Sequence, residues 1–163
     1  MRYFNNFDAF MKLVLSMKDG FGNTLMIFFF TLLFSLPLGL AVALLRMSRR
    51  KIISVPTSLY ILVMRGTPLM LQLLFVYYGL PFIPGIGIRM DDFQAAIFAF
   101  VLNYAAYFCE IFRAGIQSID KGQMEAGRSL GMSWAQTMRY VIMPQAFKRI
   151  IPPLGNEFIA MLK

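Results

Sequence analysis

The chain has 163 residues, 58% of them hydrophobic and 15% charged, an apolar share above that of ordinary soluble domains. It has no histidine and a single cysteine, Cys109, which excludes disulfides, histidine-based catalysis and Cys/His metal sites within these residues. The formal net charge of +8 would suggest a nucleic acid or another acidic partner if the protein were soluble.

The first 45 residues predict an interface segment followed by a membrane span. Residues 1–20 mix aromatic and charged side chains, which favours a helix at the outer membrane interface, with entry into the membrane at residues 20–24. Residues 25–45 contain no charge and extend about 31 Å as a helix, enough to cross a bilayer core of about 30 Å. Because a basic cluster follows this span, we expect a retained helix and not a cleaved signal peptide.

Three later segments complete the predicted membrane part. Residues 68–84 and 93–112 predict the second and third spans, and the apolar stretch 150–163 is the start of a fourth, incomplete span. The sequence therefore predicts an all-α membrane protein with three full spans and part of a fourth.

Basic residues follow the first and third predicted spans, at residues 46–51 and 121–149. The positive-inside rule places both segments in the cytoplasm, so we expect the amino terminus and the short loop between spans two and three to lie outside. The basic excess then serves to orient the protein in membrane lipid, and we expect no nucleic-acid partner.

The cytoplasmic segment 118–149 predicts a helical hairpin. Asp120 can cap a first helix, and a glycine turn at Gly131 follows it. One side of that helix carries Met124, Gly127 and Leu130.

The second helix of the hairpin has a clear start signal. Ser133, with Gln136 three residues later, forms a capping box, and the apolar face that follows ends before Pro144. On pattern alone, the same hairpin could lie on the membrane surface without a protein partner.

A family resemblance appears within this loop. Glu125-Ala126-Gly127, then Gly131, then Val141-Ile142-Met143-Pro144 resembles the EAA loop of permeases of binding-protein-dependent ABC importers. The spacing is complete, and three positions differ from the family pattern: Gly127 replaces alanine, Val141 replaces isoleucine and Met143 replaces leucine.

Three further segments narrow the resemblance to polar amino acid permeases. The first is residues 65–81, which runs from Arg65-Gly66-Thr67-Pro68-Leu69 to Tyr77-Tyr78-Gly79-Leu80-Pro81. The others are residues 110–116 and Asn156-Glu157-Phe158-Ile159-Ala160. Permeases of this kind usually carry five spans. We therefore expect the chain to be a truncated permease that stops before its last membrane helix.

The resemblance implies a type I ABC importer transmembrane domain at residues 21–163 of a permease in the bacterial cytoplasmic (inner) membrane. It implies that the chain pairs with a second permease, either a copy or a relative. Two ABC ATPase subunits then lie beneath the pair, and an external amino acid-binding protein delivers the amino acid substrate. ATP and Mg belong to the ATPase, and the chain itself binds no cofactor and has no Walker-type phosphate loop.

The resemblance also implies which residues couple the chain to the ATPase. They are Glu125, Ala126, Gly127, Leu130, Gly131, Val141, Met143 and Pro144. A short helix ending at Gly131 can place apolar side chains, Met124 and Leu130, in a groove on the ATPase.

Polar residues at membrane depth are candidates for the substrate path, since they are costly unless they face a cavity or a partner. By resemblance Asn156 and Glu157 rank first, followed by Gln72 and Asn103. Gln72 and Asn103 are equally well explained as hydrogen bonds between helices.

Glu110 has a simpler explanation than a role in the path. It lies three residues before Arg113, where an ion pair within the helix accounts for both charges.

Two other functions compete with an importer permease. The chain could be a non-transporting scaffold or truncated permease whose hairpin recruits another protein. An intramembrane enzyme would have to use carboxylates such as Glu110 and Glu157, which have no catalytic neighbourhood in the sequence. We expect no catalytic residues and no metal site. The sequence leaves open which amino acid is carried and whether the pore is a homodimer.

Overall fold

The structure is a computed structural model that describes residues 7–85 and 87–162. These residues are helical and contain no β-strand, which confirms the all-α prediction. In chain order the helices are α1 (Phe7–Arg46), α2 (Lys51–Gly66), α3 (Leu69–Leu74), α4 (Asp92–Gln117), α5 (Lys121–Ser129), α6 (Trp134–Thr137) and α7 (Met143–Leu162). A π turn (Phe75–Gly79) and a 3-10 turn (Leu80–Phe82) continue α3, and a second π turn (Met138–Ile142) joins α6 to α7.

Helix α1 runs without a break for 40 residues, about 60 Å. The helix thus continues without a break through residues 20–24, where entry into the membrane is predicted. Residues 1–6 lie outside the described part of the chain, and the interface position of residues 1–20 stays a prediction. A glycine inside a helix costs only about 1 kcal/mol, so Gly20 and Gly22 need not end α1. The Thr24 hydroxyl donates to the Gly20 carbonyl at 2.9 Å, within the same helix.

Helices α1 and α4 pack against each other through small residues. Every fourth position on this face of α1 is buried: Thr31, Ser35, Gly39 and Ala43. A Cβ on Gly39 would stand 2.8 Å from the Cβ of Phe108, so the two backbones approach too closely for any other residue there. Small residues at this spacing let membrane helices pack tightly, and this pair forms the centre of the core.

Helix α2 meets the segment 69–82 at an angle of 108°. Pro68 holds the residue before it, Thr67, in extended conformation (φ −117°, ψ 146°), and this ends α2. Residues 69–82 rise only about 21 Å, less than a bilayer core. The segment predicted as a span at 68–84 is thus one arm of a bent pair, and the two arms together have the length and hydropathy of a span. The span itself stays a prediction.

Among the described residues, two single helical stretches are long and apolar enough to cross a membrane, Phe10–Arg46 and Asp92–Gln117, and the bent pair makes up to three. They contain the predicted first and third spans. The expected fourth segment, 150–163, falls in α7, which begins earlier and carries Lys148, Arg149 and Glu157. These charges keep α7 below the hydropathy of a span.

The helix expected to end before Pro144 continues through it to Leu162, so that expectation is wrong. In a regular helix a proline ring clashes with the carbonyl four residues earlier. Here the preceding turn is a π turn, closed by a bond from the Met143 N–H to the Met138 carbonyl, which widens the helix at that point. The same arrangement precedes Pro81.

Candidate functional site

The hairpin predicted at residues 118–149 is built from two well-terminated helices. The Asp120 carboxylate accepts from the Gly122 N–H at 2.7 Å and caps α5, as expected. At the other end Gly131 has φ +75°, and the Met132 N–H reaches the Gly127 carbonyl at 3.0 Å. This is a Schellman ending, which needs a left-handed residue and therefore favours glycine. The expected helix and glycine turn are confirmed.

The second helix starts with the predicted capping box. The Gln136 N–H donates to Ser133 Oγ at 3.3 Å, and the Ser133 N–H donates to Gln136 Oε1 at 2.8 Å. Two backbone donors at the start of α6 are thereby satisfied.

Helices α5 and α6 contact each other at Gly127 of α5, which has no side chain. A Cβ on Gly127 would lie 2.5 Å from Cγ2 and 2.6 Å from Oγ1 of Thr137, a fully buried residue of α6. The Thr137 hydroxyl donates to the Ser133 carbonyl at 3.1 Å, which fixes the side chain against Gly127. Sequence reasoning missed Thr137, because nothing in its local pattern shows that α5 folds back onto it.

Polar contacts connect α7 to α5 and to the end of α4. Gln145 of α7 donates to Gln123 of α5 at 3.1 Å, and the Arg149 guanidinium donates to the Ser118 carbonyl at the end of α4. Close by, Gly115 of α4 leaves room for the buried Ile150 of α7. Helix α7 is thus connected to both α5 and α4, and these polar contacts were also missed from sequence.

The hairpin presents a mixed surface to solvent. Glu125 and Ala126 are exposed, and the side chain of Leu130 is 80% exposed. Met124 instead packs against the buried core, so the expected pairing of Met124 and Leu130 on one outward side is wrong. Six residues turn a helix by 600°, which leaves these two positions about 120° apart.

The remaining coupling candidates lie where the hairpin meets α7. Val141 and Met143 are half-buried on either side of the buried Ile142, and Pro144 is exposed. Val141 and Met143 thus lie at the junction of the hairpin with α7, while Glu125, Ala126 and Leu130 form its exposed surface.

Gln72 and Asn103 form one hydrogen-bond network at the bend between α2 and α3. Asn103, 5% exposed, donates to the Gln72 side chain at 3.0 Å and to the Met64 carbonyl at 2.9 Å. Gln72 donates to the same carbonyl at 2.9 Å and to Thr67 Oγ1 at 2.8 Å. The alternative of hydrogen bonds between helices is therefore confirmed for both residues.

Glu110 and Arg113 form the expected ion pair within α4. The closest approach is 2.6 Å, from Arg113 Nη2 to Glu110 Oε2. Tyr107 lies one helical turn before Glu110 on α4. The Arg65 guanidinium of α2 stacks over its ring, 5.1 Å from the ring centroid.

Asn156 and Glu157 lie on α7, away from the network at the bend. Asn156 is exposed and Glu157 is half-buried, and no hydrogen bond joins either to Gln72 or Asn103 within the described part of the chain. The neighbouring Phe158 packs edge-on against Phe108 of α4. The four path candidates therefore form two separate sets in this chain.

Comparison with known proteins identifies the family. Residues 35–163 match the family described as the binding-protein-dependent transport system inner membrane component. The chain belongs to this family. Within the described residues, no cluster of three or more His, Cys, Asp or Glu side chains is placed to hold a metal ion.

The chain is similar to named permeases of Bacillus subtilis (strain 168). It is 41% identical to a probable glutamine ABC transporter permease, GlnM, over 98% of this chain and 69% of that protein. It is 42% identical to a probable amino-acid ABC transporter permease, YckA, over 88% of this chain and 62% of that protein.

A solved structure described as an amino acid ABC transporter with histidines matches the fold. The TM-score is 0.85 at 46% identity, covering 96% of this chain and 72% of that one. The type I importer permease fold is thus confirmed, and the chain spans roughly two thirds of the length of the proteins it matches. Permeases of this family are membrane subunits without catalytic activity, and the ATPase is a separate subunit.

Proposed function

We propose that this permease carries an amino acid through the bacterial inner membrane, as a multi-pass subunit of an ATP-driven importer. The names of its relatives support the substrate class, since GlnM and YckA are both described as amino acid or glutamine permeases. In this proposal the substrate arrives on an external binding protein, and two ABC ATPase subunits bind ATP and Mg beneath a pair of permeases.

The observation that carries the proposal is the anchored hairpin. Its outer surface, at Glu125 and Leu130, is free to contact an ATPase. Its two helices, α5 and α6, pack against each other through Gly127 and Thr137. Contacts from Gln145 and Arg149 connect α7 to α5 and to the end of α4. Because the hairpin has little freedom of its own, movement of the ATPase is passed to α4 and α7.

The substrate path in this proposal runs past α7. Asn156 and Glu157 offer an amide and a carboxylate that no hydrogen bond within the described residues occupies. An amino acid carries an ammonium and a carboxylate group, which these side chains can bind. Gln72 and Asn103 would line the path by shaping the bend, since their donors are already used.

Uptake of radiolabelled amino acids, with ATPase activity measured in parallel, tests the coupling role. Glu125→Lys reverses the charge at position 125, and Gly131→Pro forces φ near −65° where the turn needs a positive value. We expect either change to lower uptake about tenfold or more in the assembled transporter while basal ATP hydrolysis persists.

The matched control reverses a charge outside the hairpin and outside the segment expected to face the binding protein. Arg49→Glu changes an exposed residue between α1 and α2 and should leave uptake unchanged. Full uptake by both hairpin variants would refute coupling through residues 118–149. A preparation that contains no ATPase subunit would favour the scaffold alternative.

A further inference from the structure

A polar cavity of about 450 Å³ lies outside the hairpin and outside the bend network. It is formed where the end of α1, the inner face of α2 and the middle of α4 meet. Its charged and hydroxyl lining consists of Arg46, Ser58, Arg65, Tyr107 and Glu110. The mixed lining distinguishes it from the apolar cavity between α2, α3 and α4.

The single carboxylate in this cavity is already occupied. Arg113 holds both Glu110 oxygens, from Nε at 3.1 to 3.2 Å and from Nη2 at 2.6 Å. Arg46 and Arg65 are near enough to act electrostatically on Glu110, but neither forms an ion pair or hydrogen bond with a described residue. The cavity therefore holds two guanidinium groups with unused donors.

The remaining hydroxyl groups determine which ligand fits. Ser58 donates to the Ser54 carbonyl at 2.8 Å, so its proton is used. The Tyr107 hydroxyl forms no hydrogen bond within the described part of the chain and can donate. A zwitterionic amino acid would need an acceptor for its ammonium group, and Glu110 is committed to Arg113. The donors that remain therefore fit an anionic ligand that carries no positively charged group of its own beside the anionic group.

An exposed apolar stripe on α2 continues from the cavity. Ile52, Val55, Leu59 and Leu62 follow one another at spacings of three and four residues on its outer face, and Ile52 is 90% exposed. Leu62 belongs both to this stripe and to the cavity lining. An occupant that fills both features has an anionic head and a hydrocarbon tail.

The position of α2 fits a membrane surface. The 108° bend sets α2 nearly at right angles to the segment 69–82, so the two cannot both run along the membrane normal. The exposed apolar stripe suits α2 to a position near the membrane surface. Arg46 also begins the basic cluster at residues 46–51, which the positive-inside rule places at the cytoplasmic leaflet, where anionic lipids attract basic residues.

We propose that this cavity binds the phosphate group of an anionic phospholipid from the cytoplasmic leaflet. Arg46, Arg65 and the Tyr107 hydroxyl donate to the phosphate, and the stripe on α2 receives an acyl chain. The site depends on the membrane location of the chain and not on which substrate is transported.

Lipid binding to the assembled, detergent-purified transporter tests the site. Dioleoyl-phosphatidylglycerol and dioleoyl-phosphatidylcholine are titrated separately, and bound lipids are counted by native mass spectrometry. We expect one site per permease copy to prefer phosphatidylglycerol. Arg46→Gln and Arg65→Gln should each weaken it about fivefold, the contribution of one basic residue near an anionic surface.

Arg49→Gln is the matched control, because it removes the same charge from an exposed position outside the cavity lining. It should change binding less than twofold. Tyr107→Phe keeps the aromatic ring beneath Arg65 and removes only the hydroxyl, so weaker binding by this variant supports the site even if Arg65→Gln disturbs packing.

Three outcomes would overturn the proposal. Equal binding of the two lipids would show no headgroup selection, and equal losses in the Arg46, Arg65 and Arg49 variants would show surface attraction only. Displacement of the lipid by millimolar inorganic phosphate or L-glutamine would identify a site for a free anion or for substrate. None of these outcomes alters the uptake result, so the transport proposal is judged separately.

Discussion

Gly127 is the residue on which closure of the hairpin depends. Its missing Cβ leaves the space that the Thr137 side chain fills, and Thr137 is fully buried there. The position is one of the three at which this sequence differs from the family pattern. The smaller residue on α5 therefore matches a branched residue on α6.

We expect Gly127→Ala to destabilise the protein despite the better helix propensity of alanine. The propensity gain is about 1 kcal/mol, whereas the methyl group would overlap Thr137, and overpacking of this kind costs about 1–3 kcal/mol. Adding Thr137→Ala should recover most of the loss. Thermal unfolding of the purified protein in detergent measures both variants.

Gly155→Ala provides the control for this pair, because a Cβ at that position of α7 meets nothing within 4 Å. This substitution should be neutral or stabilising by up to about 1 kcal/mol. If Gly127→Ala behaves like Gly155→Ala, the contact with Thr137 does not limit the packing of the hairpin.

Side-chain contacts within one turn of a helix could be predicted from the sequence. Contacts between residues on different helices could not. Glu110 and Arg113 are three residues apart, so their spacing alone predicts the ion pair. Gly127 and Thr137 belong to different helices, and only the closure of the hairpin brings them together. The inward turn of Met124 was missed for the same reason, since it depends on what lies behind α5.

At the scale of elements, the bend between α2 and α3 is stabilised from α4. Asn103 of α4 donates to the Met64 carbonyl and to the Gln72 side chain. The Tyr60 hydroxyl of α2 donates to the Leu102 carbonyl of α4 at 2.5 Å. Gln72 also donates to the Met64 carbonyl. An extended Thr67 before Pro68 permits a change of direction, and the amides fix which direction is taken.

Asn103→Leu should loosen this bend. The substitution removes the two hydrogen bonds to Met64 and Gln72, and hydrogen bonds between membrane helices contribute about 1–2 kcal/mol at most. We expect lower thermal stability and a broader distance distribution between spin labels at positions 59 and 70, measured by pulsed electron paramagnetic resonance in a Cys109→Ala background.

Thr24→Val is the comparison for Asn103→Leu. It removes a hydrogen bond that stays within α1, so it should change neither the distance distribution nor, by more than a few tenths of a kcal/mol, the stability. An unchanged distribution in Asn103→Leu would mean that proline and backbone geometry alone set the angle.

Helix boundaries were predictable where the residues at the helix end form a recognisable local capping pattern. Asp120, Gly131 and the capping box at Ser133 terminate helices through bonds to near neighbours, and all three were read correctly. Pro144 gave a misleading signal, because a π turn relieves the clash that usually stops a helix. The uninterrupted course of α1 through Gly20 was not predicted either, because a glycine inside a helix costs only about 1 kcal/mol and need not mark a boundary.

At the scale of the whole molecule, the orientation in the membrane can be measured directly. The positive-inside rule places the hairpin in the cytoplasm and the segment between α3 and α4 outside. A cysteine at Arg89 should react with a membrane-impermeant maleimide in intact cells, and a cysteine at Ser129 should react only after permeabilisation; both positions are exposed. The opposite labelling pattern would invert the topology.

Hydropathy alone predicts much of the membrane part and little of its geometry. The apolar runs at 25–45 and 93–112 fall inside α1 and α4 because length and lack of charge suffice to define such helices. The 108° angle and the division of the polar residues into separate sets could not be read from the sequence, since both depend on how α2, α4 and α7 pack.

From α6 through the π turn into α7 the helix is unbroken, so a rotation about one residue would move its two ends in opposite directions by unequal distances. Ile150, buried against Gly115, is the tightest contact about which this helix could turn. Trp134 lies sixteen residues before it, about 24 Å away, and Asn156 lies six residues beyond, about 9 Å. If this helix turned as a rigid body about Ile150, a movement of the hairpin end by about 5 Å would displace Asn156 by about 2 Å in the opposite direction. In the proposed mechanism, a large movement at the ATPase would then produce a small one beside the substrate path.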